Sequence, residues 1–159
     1  MARVAKTEEP IEKKVRKTDY FTTTGRRKGA VARVRLFAKV PDGLMWGEQA
    51  VKKGDIIVNK KAISAYFPSA VEKTVYMQPF EITGTINTFA ITIQVDGGGR
   101  RGQLGAVVHA LSRALSAVDG KHRDKLKKKG LLTRDPRVRQ RRKVGMGGKS
   151  RRKKQSPKR

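Results

Sequence analysis

The stretch from Val95 to Leu115 reads VDGGGRRGQLGAVVHALSRAL, and its glycines decide how the fold is interpreted. Gly97, Gly99 and Gly102 have the spacing G-x-G-x-x-G, which is the fingerprint of dinucleotide-binding proteins when it joins a strand to a helix. The first question is therefore whether this chain binds a nucleotide cofactor or uses the glycines for another purpose.

The segments on either side of the glycines have the periodicities of a strand and of a helix. In residues 87–96, apolar side chains occupy alternate positions and predict a half-buried strand: Phe89, Ile91, Ile93 and Val95. After the glycines, apolar side chains recur every three or four residues and predict a helix lying on a sheet: Leu104, Val107, Val108, Leu111, Leu115 and Val118. The other side of this helix, expected in solvent or against RNA, carries His109, Ser112, Arg113 and Ser116.

A dinucleotide site requires a second parallel strand after the glycine-rich helix, with an acidic residue that binds the ribose. Residues 119–136 read DGKHRDKLKKKGLLTRDP and contain no alternating apolar segment, and no P-loop Gly-Lys-Ser/Thr follows the glycines. We therefore predict that no cofactor binds. We expect a tight turn with close packing at Gly97, Gly98, Gly99 and Gly102. Arg100 and Arg101 at the helix N-terminus would then favour a nucleic-acid phosphate.

The strand predicted from Ala30 carries arginines on one face. Apolar residues alternate with Arg33 and Arg35, so the inner face is expected to be buried and the outer face basic. The outer face is either merely solvated or in contact with phosphates. A basic cluster just upstream favours phosphate contact: Arg26, Arg27 and Lys28.

Shorter elements complete the predicted body. Residues 55–59, DIIVN, predict a short strand, and the segment before them predicts a loop. The sequence SAVE at 69–72 is a capping box, and it predicts a short helix that ends before Pro79 with Val71 and Val75 one turn apart. We expect a further helix over residues 122–129, stopped by Gly130. Strands followed by helices predict a single α+β domain.

The composition indicates a polyanionic partner. The chain has 159 residues with 39 Lys+Arg and 13 Asp+Glu, a net charge of +26. Nucleic acid is the obvious partner; an acidic membrane surface is the alternative, although no apolar run is long enough to span a bilayer. There is no cysteine, and the two histidines lack the spacing of a zinc site, so no metal is predicted. The N-terminal residues resemble neither a signal nor a transit peptide, which makes the cytoplasm the expected location.

The charge divides the chain into three parts. We expect residues 1–19 to be a disordered polar extension, 20–135 a globular domain, and 136–159 an extended basic C-terminal arm. Residues 120–159 contain 19 basic and 2 acidic groups. The arm has too few apolar residues to form a core, so it is either a solvating tail or, as its density of cations favours, a segment that follows a phosphate backbone.

Several motifs occur in a specific order: TGRRKGAVARVRLF at 24–37, GDIIVN at 54–59, YFP at 66–68, the glycine stretch at 95–115, LKKKGLLTRDPR at 126–137, and the final KR. Over roughly residues 20–143 and the last few positions, the chain resembles the family of bacterial-type small-subunit ribosomal protein number nine. The resemblance implies a small two-layer α+β sandwich with a mixed sheet, helices on one face, a left-handed βαβ crossover and an extended basic tail.

The resemblance also implies a non-enzymatic role in the ribosome. The protein would bind small-subunit rRNA in the head beside neighbouring head proteins, with no membrane and no small-molecule substrate. The end of its tail, Lys158 and Arg159, would reach the peptidyl-site tRNA. The basic residues expected against rRNA are Arg26, Arg27, Lys28, Arg33, Arg35, Arg100, Arg101, Arg113, Lys127, Lys128, Arg134, Arg137, Arg139, Arg141, Arg142, Lys143, Lys149, Arg151 and Arg152.

The chain departs from the family pattern at several positions. The leader and the loop at 39–53 are longer than usual, and NKK at 59–61 replaces an Asn-Gly turn. Ser156 and Pro157 stand where an aromatic residue and a serine usually precede the final Lys-Arg. Two other interpretations stay open: a histone-like protein that binds nucleic acid through charge alone, and a nucleotide-dependent enzyme, for which the sequence offers no carboxylate pair, nucleophile or metal cluster.

Overall fold

In a computed structural model the chain forms a five-stranded mixed sheet, a small two-stranded hairpin and four helices. The structure describes residues 20–39, 44–47, 49–141 and 144. The expectations of disorder for the leader and of an extended arm fall mainly on residues outside these ranges and stay predictions. The boundary proposed at residues 135–136 also stays a prediction.

The order of elements is strands first, then helices around one long strand. The strands are β1 Tyr20–Arg27, β2 Ala30–Phe37, β3 Met45–Trp46, β4 Gln49–Ala50, β5 Ile56–Val58, β6 Lys61–Ala62 and β7 Ala90–Asp96. The helices are α1 Ile63–Tyr66, α2 Ala70–Thr83, α3 Arg100–Val118 and α4 Gly120–Lys128. Within the described residues no strand follows β7, so the parallel strand that a dinucleotide site needs after α3 is missing there.

The large sheet has the strand order β1-β2-β7-β5-β6. β1, β2 and β7 are antiparallel neighbours, β5 runs parallel to β7, and β6 pairs antiparallel with β5. The predicted α+β class with a mixed sheet is therefore confirmed. The parallel pair β5 and β7 is joined through α1 and α2, and the left-handed sense of that connection remains an implication of the resemblance.

The core lies between the sheet and α3, as the two periodicities predict. Val34 and Ile93 face each other across β2 and β7 and are fully buried. Leu111 of α3 is also fully buried in the same cluster. The expectation that Ser112 lies on the polar side of α3 is wrong, because this residue is buried. Its hydroxyl donates to the Val108 carbonyl at 2.8 Å, so the buried polar group has a hydrogen-bond partner within the helix.

β1 is a strand that the sequence pattern did not predict. Its side toward α3 carries small and polar residues, so no apolar alternation marks it. The Thr23 hydroxyl donates to the Ala110 carbonyl of α3 at 2.9 Å. A Cβ atom on Gly25 would lie 2.1 Å from the Ala106 carbonyl oxygen, so the strand and the helix backbone touch at this glycine.

α2 continues past the proline at which we expected it to end. Pro79 lies inside the helix and is buried, and Tyr76 and Phe80 are buried beside it. A proline removes one helical hydrogen bond, but the burial of these two aromatic side chains holds the helix in place around it. Val71 and Val75, which the sequence places one turn apart, are exposed.

The loop before β5 contains the hairpin β3–β4, which covers part of the outer face of the sheet. Val51, Phe37 and Ile57 form a second small core there, with Trp46 packed against it. Ala90 belongs to this second core, and Thr92 on the same side of β7 is also buried, so this part of β7 is buried on both faces and not half-buried as predicted. A loop of turn residues was predicted here, and the hairpin was missed.

The turn between β5 and β6 uses two residues with left-handed backbone. Asn59 has φ 46° and Lys60 has φ 64°, which matches the requirement of a two-residue type I′ hairpin turn. Asn59 is well suited to this position, because its side chain donates to the Val95 carbonyl and accepts from the Val95 N–H, both at 2.9 Å. Lys60 has no such compensation, and the glycine usual at this position in the family would be relaxed.

We therefore expect Lys60→Gly to raise the free energy of unfolding by about 1 kcal/mol, because the left-handed conformation costs a side-chain-bearing residue roughly that much. Lys61→Gly in the neighbouring strand is the matched control. It should lower the free energy of unfolding by about 0.5–1 kcal/mol through added chain entropy. Urea unfolding followed by circular dichroism measures both, and a destabilised Lys60→Gly variant would contradict the turn assignment.

Candidate nucleic-acid interface

The glycine-rich turn packs closely against another segment of the same protein. Gly97 and Gly98 have φ of 67° and 64°, the left-handed backbone that favours glycine. A Cβ on Gly97 would lie 2.7 Å from the Gly29 carbonyl oxygen, and one on Gly98 would lie 2.8 Å from the Ala30 nitrogen. In dinucleotide-binding proteins the backbone of such glycines approaches a pyrophosphate. Here the backbone of Gly97 and Gly98 approaches the β1–β2 turn instead.

The two other glycines of the fingerprint have different roles. Gly102 is buried, and a Cβ there would lie 3.5 Å from the Arg27 carbonyl oxygen, an ordinary contact distance. Gly99 has extended backbone, φ −114°, and open space where a Cβ would be. The expectation that Gly99 is required for the turn is therefore wrong, because neither its backbone conformation nor its surroundings exclude a side chain.

Of the two arginines at the start of α3, one is held by an acid within the protein. Arg100 donates from Nε and Nη2 to the two carboxylate oxygens of Glu72, each at 2.7 Å. This bidentate pair lowers the pKa of Glu72 and raises that of Arg100. Arg101 is exposed and has no carboxylate partner among the described residues. Arg101 is therefore the more available cation for an external anionic group at this end of the helix.

The outer face of β2 is basic, as the alternation predicts, but its two arginines differ. Arg33 is exposed and lies opposite Thr24 on one side and Gln94 on the other. The Arg35 guanidinium lies 5.6 Å from the ring centroid of Tyr20 and 5.3 Å from that of Trp46. These are cation–π distances, so Arg35 is held against two aromatic rings while Arg33 faces solvent.

The three cations of the basic cluster at the β1–β2 turn have different surroundings. Arg26 is exposed and pairs in register with Val31, whereas Arg27 points to the helix side. There its side chain packs so closely on α3 that a Cβ on Gly105 would lie 2.3 Å from the Arg27 Cδ. Lys28, in the turn, is exposed with φ 52°.

Asp135 anchors the beginning of the C-terminal arm. Its carboxylate accepts from the Nη2 of Arg27 at 3.2 Å and from the Nη2 of Arg137 at 2.8 Å. Hydrogen bonds from the Arg137 side chain and backbone, with the Arg27 charge, hold the pKa of Asp135 well below its usual range. The acid therefore ties the chain at residue 135 to β1, and two of the arginines predicted to bind rRNA also bind it.

His109 helps to hold the segment that leads to this anchor. Its Nε2 lies 3.2 Å from the Leu132 carbonyl oxygen, and burial lowers its pKa. We had expected this histidine in solvent or against RNA. It is instead covered by residues 130–133, which fold back over α3.

The last helix forms a second basic surface. α4 begins two residues earlier than predicted, because the Asp119 carboxylate accepts from the Lys121 N–H and caps it, and Gly130 follows with φ 73°. Leu126 is buried, while Lys127 and Lys128 are exposed. Because α4 packs on α2 and α3, this surface belongs to the helix layer, opposite the arginines of β2.

The remaining predicted cations are spread along the chain. Arg113 donates to the Thr24 carbonyl of β1, and Arg134, Arg139 and Arg141 are exposed. The other predicted rRNA and tRNA contacts lie outside the described residues: Arg142, Lys143, Lys149, Arg151, Arg152, Lys158 and Arg159. The two aromatic partners of Arg35, Tyr20 and Trp46, were not predicted from the sequence; the available signal was that the only tryptophan of the chain lies in the predicted loop.

The described residues contain no group of three or more histidine and acidic side chains placed to hold a metal ion. None of the helices in that part of the chain is sufficiently long and apolar to cross a membrane. In a comparison with known families, the model of the family described as ribosomal protein S9/S16 matches residues 25–159. The match begins within β1, includes both basic surfaces and extends through the whole arm.

Proposed function

Because the chain belongs to the ribosomal protein S9/S16 family, we propose that it is the bacterial-type protein number nine and binds small-subunit rRNA in the head. The family consists of structural proteins of the small ribosomal subunit that are typically not enzymes, and rRNA and other ribosomal proteins are their partners. The protein is thus part of the ribosome, which we place in the cytoplasm.

The concentration of charge in the last quarter of the chain carries this proposal. Residues 120–159 hold 19 basic and 2 acidic groups, so they account for +17 of the net +26. Such an excess needs a polyanion to neutralise it, and ribosomal RNA supplies one. Arg33 on the sheet and Lys127 on α4 are exposed in opposite layers, which favours contact with more than one RNA segment.

Crosslinking in intact small subunits, followed by sequencing of the attached RNA, tests the rRNA contact. We expect reads confined to a few segments of small-subunit rRNA. A histone-like protein would instead crosslink to DNA or to RNA without positional preference. That result would replace the proposed function with binding through charge alone.

Arg33→Gln isolates the contribution of the sheet face. If Arg33 binds an rRNA phosphate, the slope of log affinity against log salt should become shallower by about 0.7. Lys73→Gln is the matched control, since it removes one charge from α2 and should leave the slope unchanged. Filter binding to a small-subunit rRNA fragment at several salt concentrations gives both slopes. An unchanged slope in folded Arg33→Gln protein would mean that this face is only solvated.

A second part of the proposal concerns the tail. We propose that Lys158 and Arg159 reach the peptidyl-site tRNA while the folded body is bound to rRNA. The support is the resemblance together with the length and charge of the arm: from Arg137 to Arg159, 12 of 23 residues are lysine or arginine and none is acidic. Repulsion among these cations opposes a compact tail and favours one that follows RNA.

A further inference from the structure

The segment from residue 69 to 99, which begins with α2, differs in charge from the rest of the chain. From residue 69 to 99 the sequence has one cation, Lys73, and three anions, Glu72, Glu81 and Asp96, although the whole chain has a net charge of +26. A phosphate backbone is bound by lysine and arginine side chains. This segment is therefore poorly suited to contact RNA.

Two valines of α2 lie in solvent. Val71 is 73% exposed and Val75 is 36% exposed, and they are one helical turn apart. A single exposed valine is unremarkable, but neighbouring apolar side chains beside a groove are typical of an interaction surface. The capping box and Pro79 fix the helix that carries them, so the pair is held in place before any partner binds.

The valines line a groove of about 680 Å³ between α2 and α3. Leu104 and Val108, one turn apart on α3, line it from the other helix, and Leu131 also lines it. Apolar side chains at a spacing of four residues on both helices form the kind of surface that takes the apolar face of an amphipathic helix. The groove is too small to enclose a helix and suits a few of its side chains.

The charged residues of the groove indicate what the occupant must carry. Arg27 is already paired with Asp135, and Glu72 with Arg100. Arg26 and Arg101 also line the groove, and within the described residues neither lies within 4.0 Å of a carboxylate. An acidic side chain on the occupant would complement these two arginines.

We propose that this groove binds an amphipathic helix of a neighbouring ribosomal protein. The helix presents apolar residues three or four positions apart to the valines and an acidic residue to Arg26 and Arg101. A nucleotide of rRNA would satisfy only the arginines, because valine and leucine offer a base neither an aromatic face nor a hydrogen bond. The inference rests on the proposed function only in that the partner is sought within the small ribosomal subunit.

Photocrosslinking in purified small subunits tests the proposal. With p-benzoylphenylalanine at position 71, we expect a crosslink that survives ribonuclease, is destroyed by protease, and contains a peptide with the predicted apolar spacing and an acidic residue. Position 73, on the opposite side of α2, is the matched control and should give at least fivefold less product. A crosslink to RNA, equal yields at both positions, or no crosslink at position 71 would overturn the proposal.

A charge variant provides an independent readout. Val71→Glu places an acid in the groove at a position that is mostly exposed, so the fold should be retained. In salt-washed small subunits it should lower the amount of the crosslinked partner at least threefold. Lys73→Gln, which changes the net charge equally, should not. Unchanged partner levels in the Val71→Glu subunits would contradict the groove, while rRNA crosslinks made elsewhere by the same chain would leave the proposed function standing.

Discussion

Replacing Gly25 by alanine should lower the free energy of unfolding by about 3 kcal/mol, the upper part of the range for overpacking a filled site. The new Cβ would lie 2.1 Å from the Ala106 carbonyl oxygen and 2.5 Å from the Ala110 nitrogen. Both atoms belong to the backbone of α3, so no side-chain rotation relieves the contact. The helix and β1 would have to separate, which would also weaken the Thr23–Ala110 hydrogen bond. Denaturant unfolding followed by circular dichroism measures the change.

Gly99→Ala is the matched control for this prediction. Gly99 has extended backbone, and nothing lies within 4 Å of where its Cβ would be, so we expect a change within about 0.5 kcal/mol. The two variants distinguish a glycine required by close packing from a glycine that only belongs to a sequence pattern. Gly25 lies outside the G-x-G-x-x-G pattern, and Gly99 lies within it. Equal losses at both positions would show that the fingerprint glycine carries a constraint that the fold does not reveal.

The elements that sequence analysis predicted are those whose burial follows a local period. In β2, β7 and α3 one face packs on a single layer, so apolar residues recur every two or every 3.6 positions and mark the element by themselves. The rejection of a cofactor site was equally local, because it needed only the absence of an alternating segment after α3. Over the described residues α4 follows α3, and no strand comes after it.

The features that sequence analysis missed depend on contacts between residues far apart in the chain. β1 lacks apolar alternation because its partner approaches so closely that only Gly25 fits. α2 passes through Pro79 because tertiary burial outweighs the lost hydrogen bond. The cation predictions were affected in the same way, since Arg100 is held by an acid 28 positions away. The sequence alone does not show which acidic side chain of the same protein will form an ion pair with a given basic residue.

The exposed cations are distributed unevenly over the layers of the fold, and no single segment of the sequence shows this distribution. Arg33 lies on the outer sheet face and Lys128 on the helix layer, while α2, with Lys73 as its only cation, lies beside α3. If the body lies between RNA segments as we propose, α2 is the side that it can turn toward protein. The anchor at Asp135 then sets where the arm leaves, because it ties the chain to β1 just before the tail begins.

Deleting Ser156 to Arg159 should weaken the hold on peptidyl-site tRNA by about 1–3 kcal/mol, the loss of two charge-assisted contacts. The arm from Arg137 to Arg159 contains 23 residues. At roughly 3.3 Å per residue they can span on the order of 70 Å when extended. The end of the tail is thus able to contact a molecule far from the rRNA that binds the body. Measured dissociation of tRNA from programmed small subunits should become about 5- to 150-fold faster.

The chemistry of the tail end explains why this effect should not depend on which tRNA is bound. Lys158 offers a point charge and Arg159 a fork that matches two phosphate oxygens, and contacts of this kind read the backbone and not the bases. The double variant Lys153→Gln, Lys154→Gln is the matched control, since it removes the same number of positive charges, two, from inside the arm. It should accelerate dissociation less, because the end of the tail is kept. Unchanged dissociation from subunits that hold the shortened protein at full stoichiometry would refute the tRNA contact, and the rRNA-binding role of the folded body would stand without it.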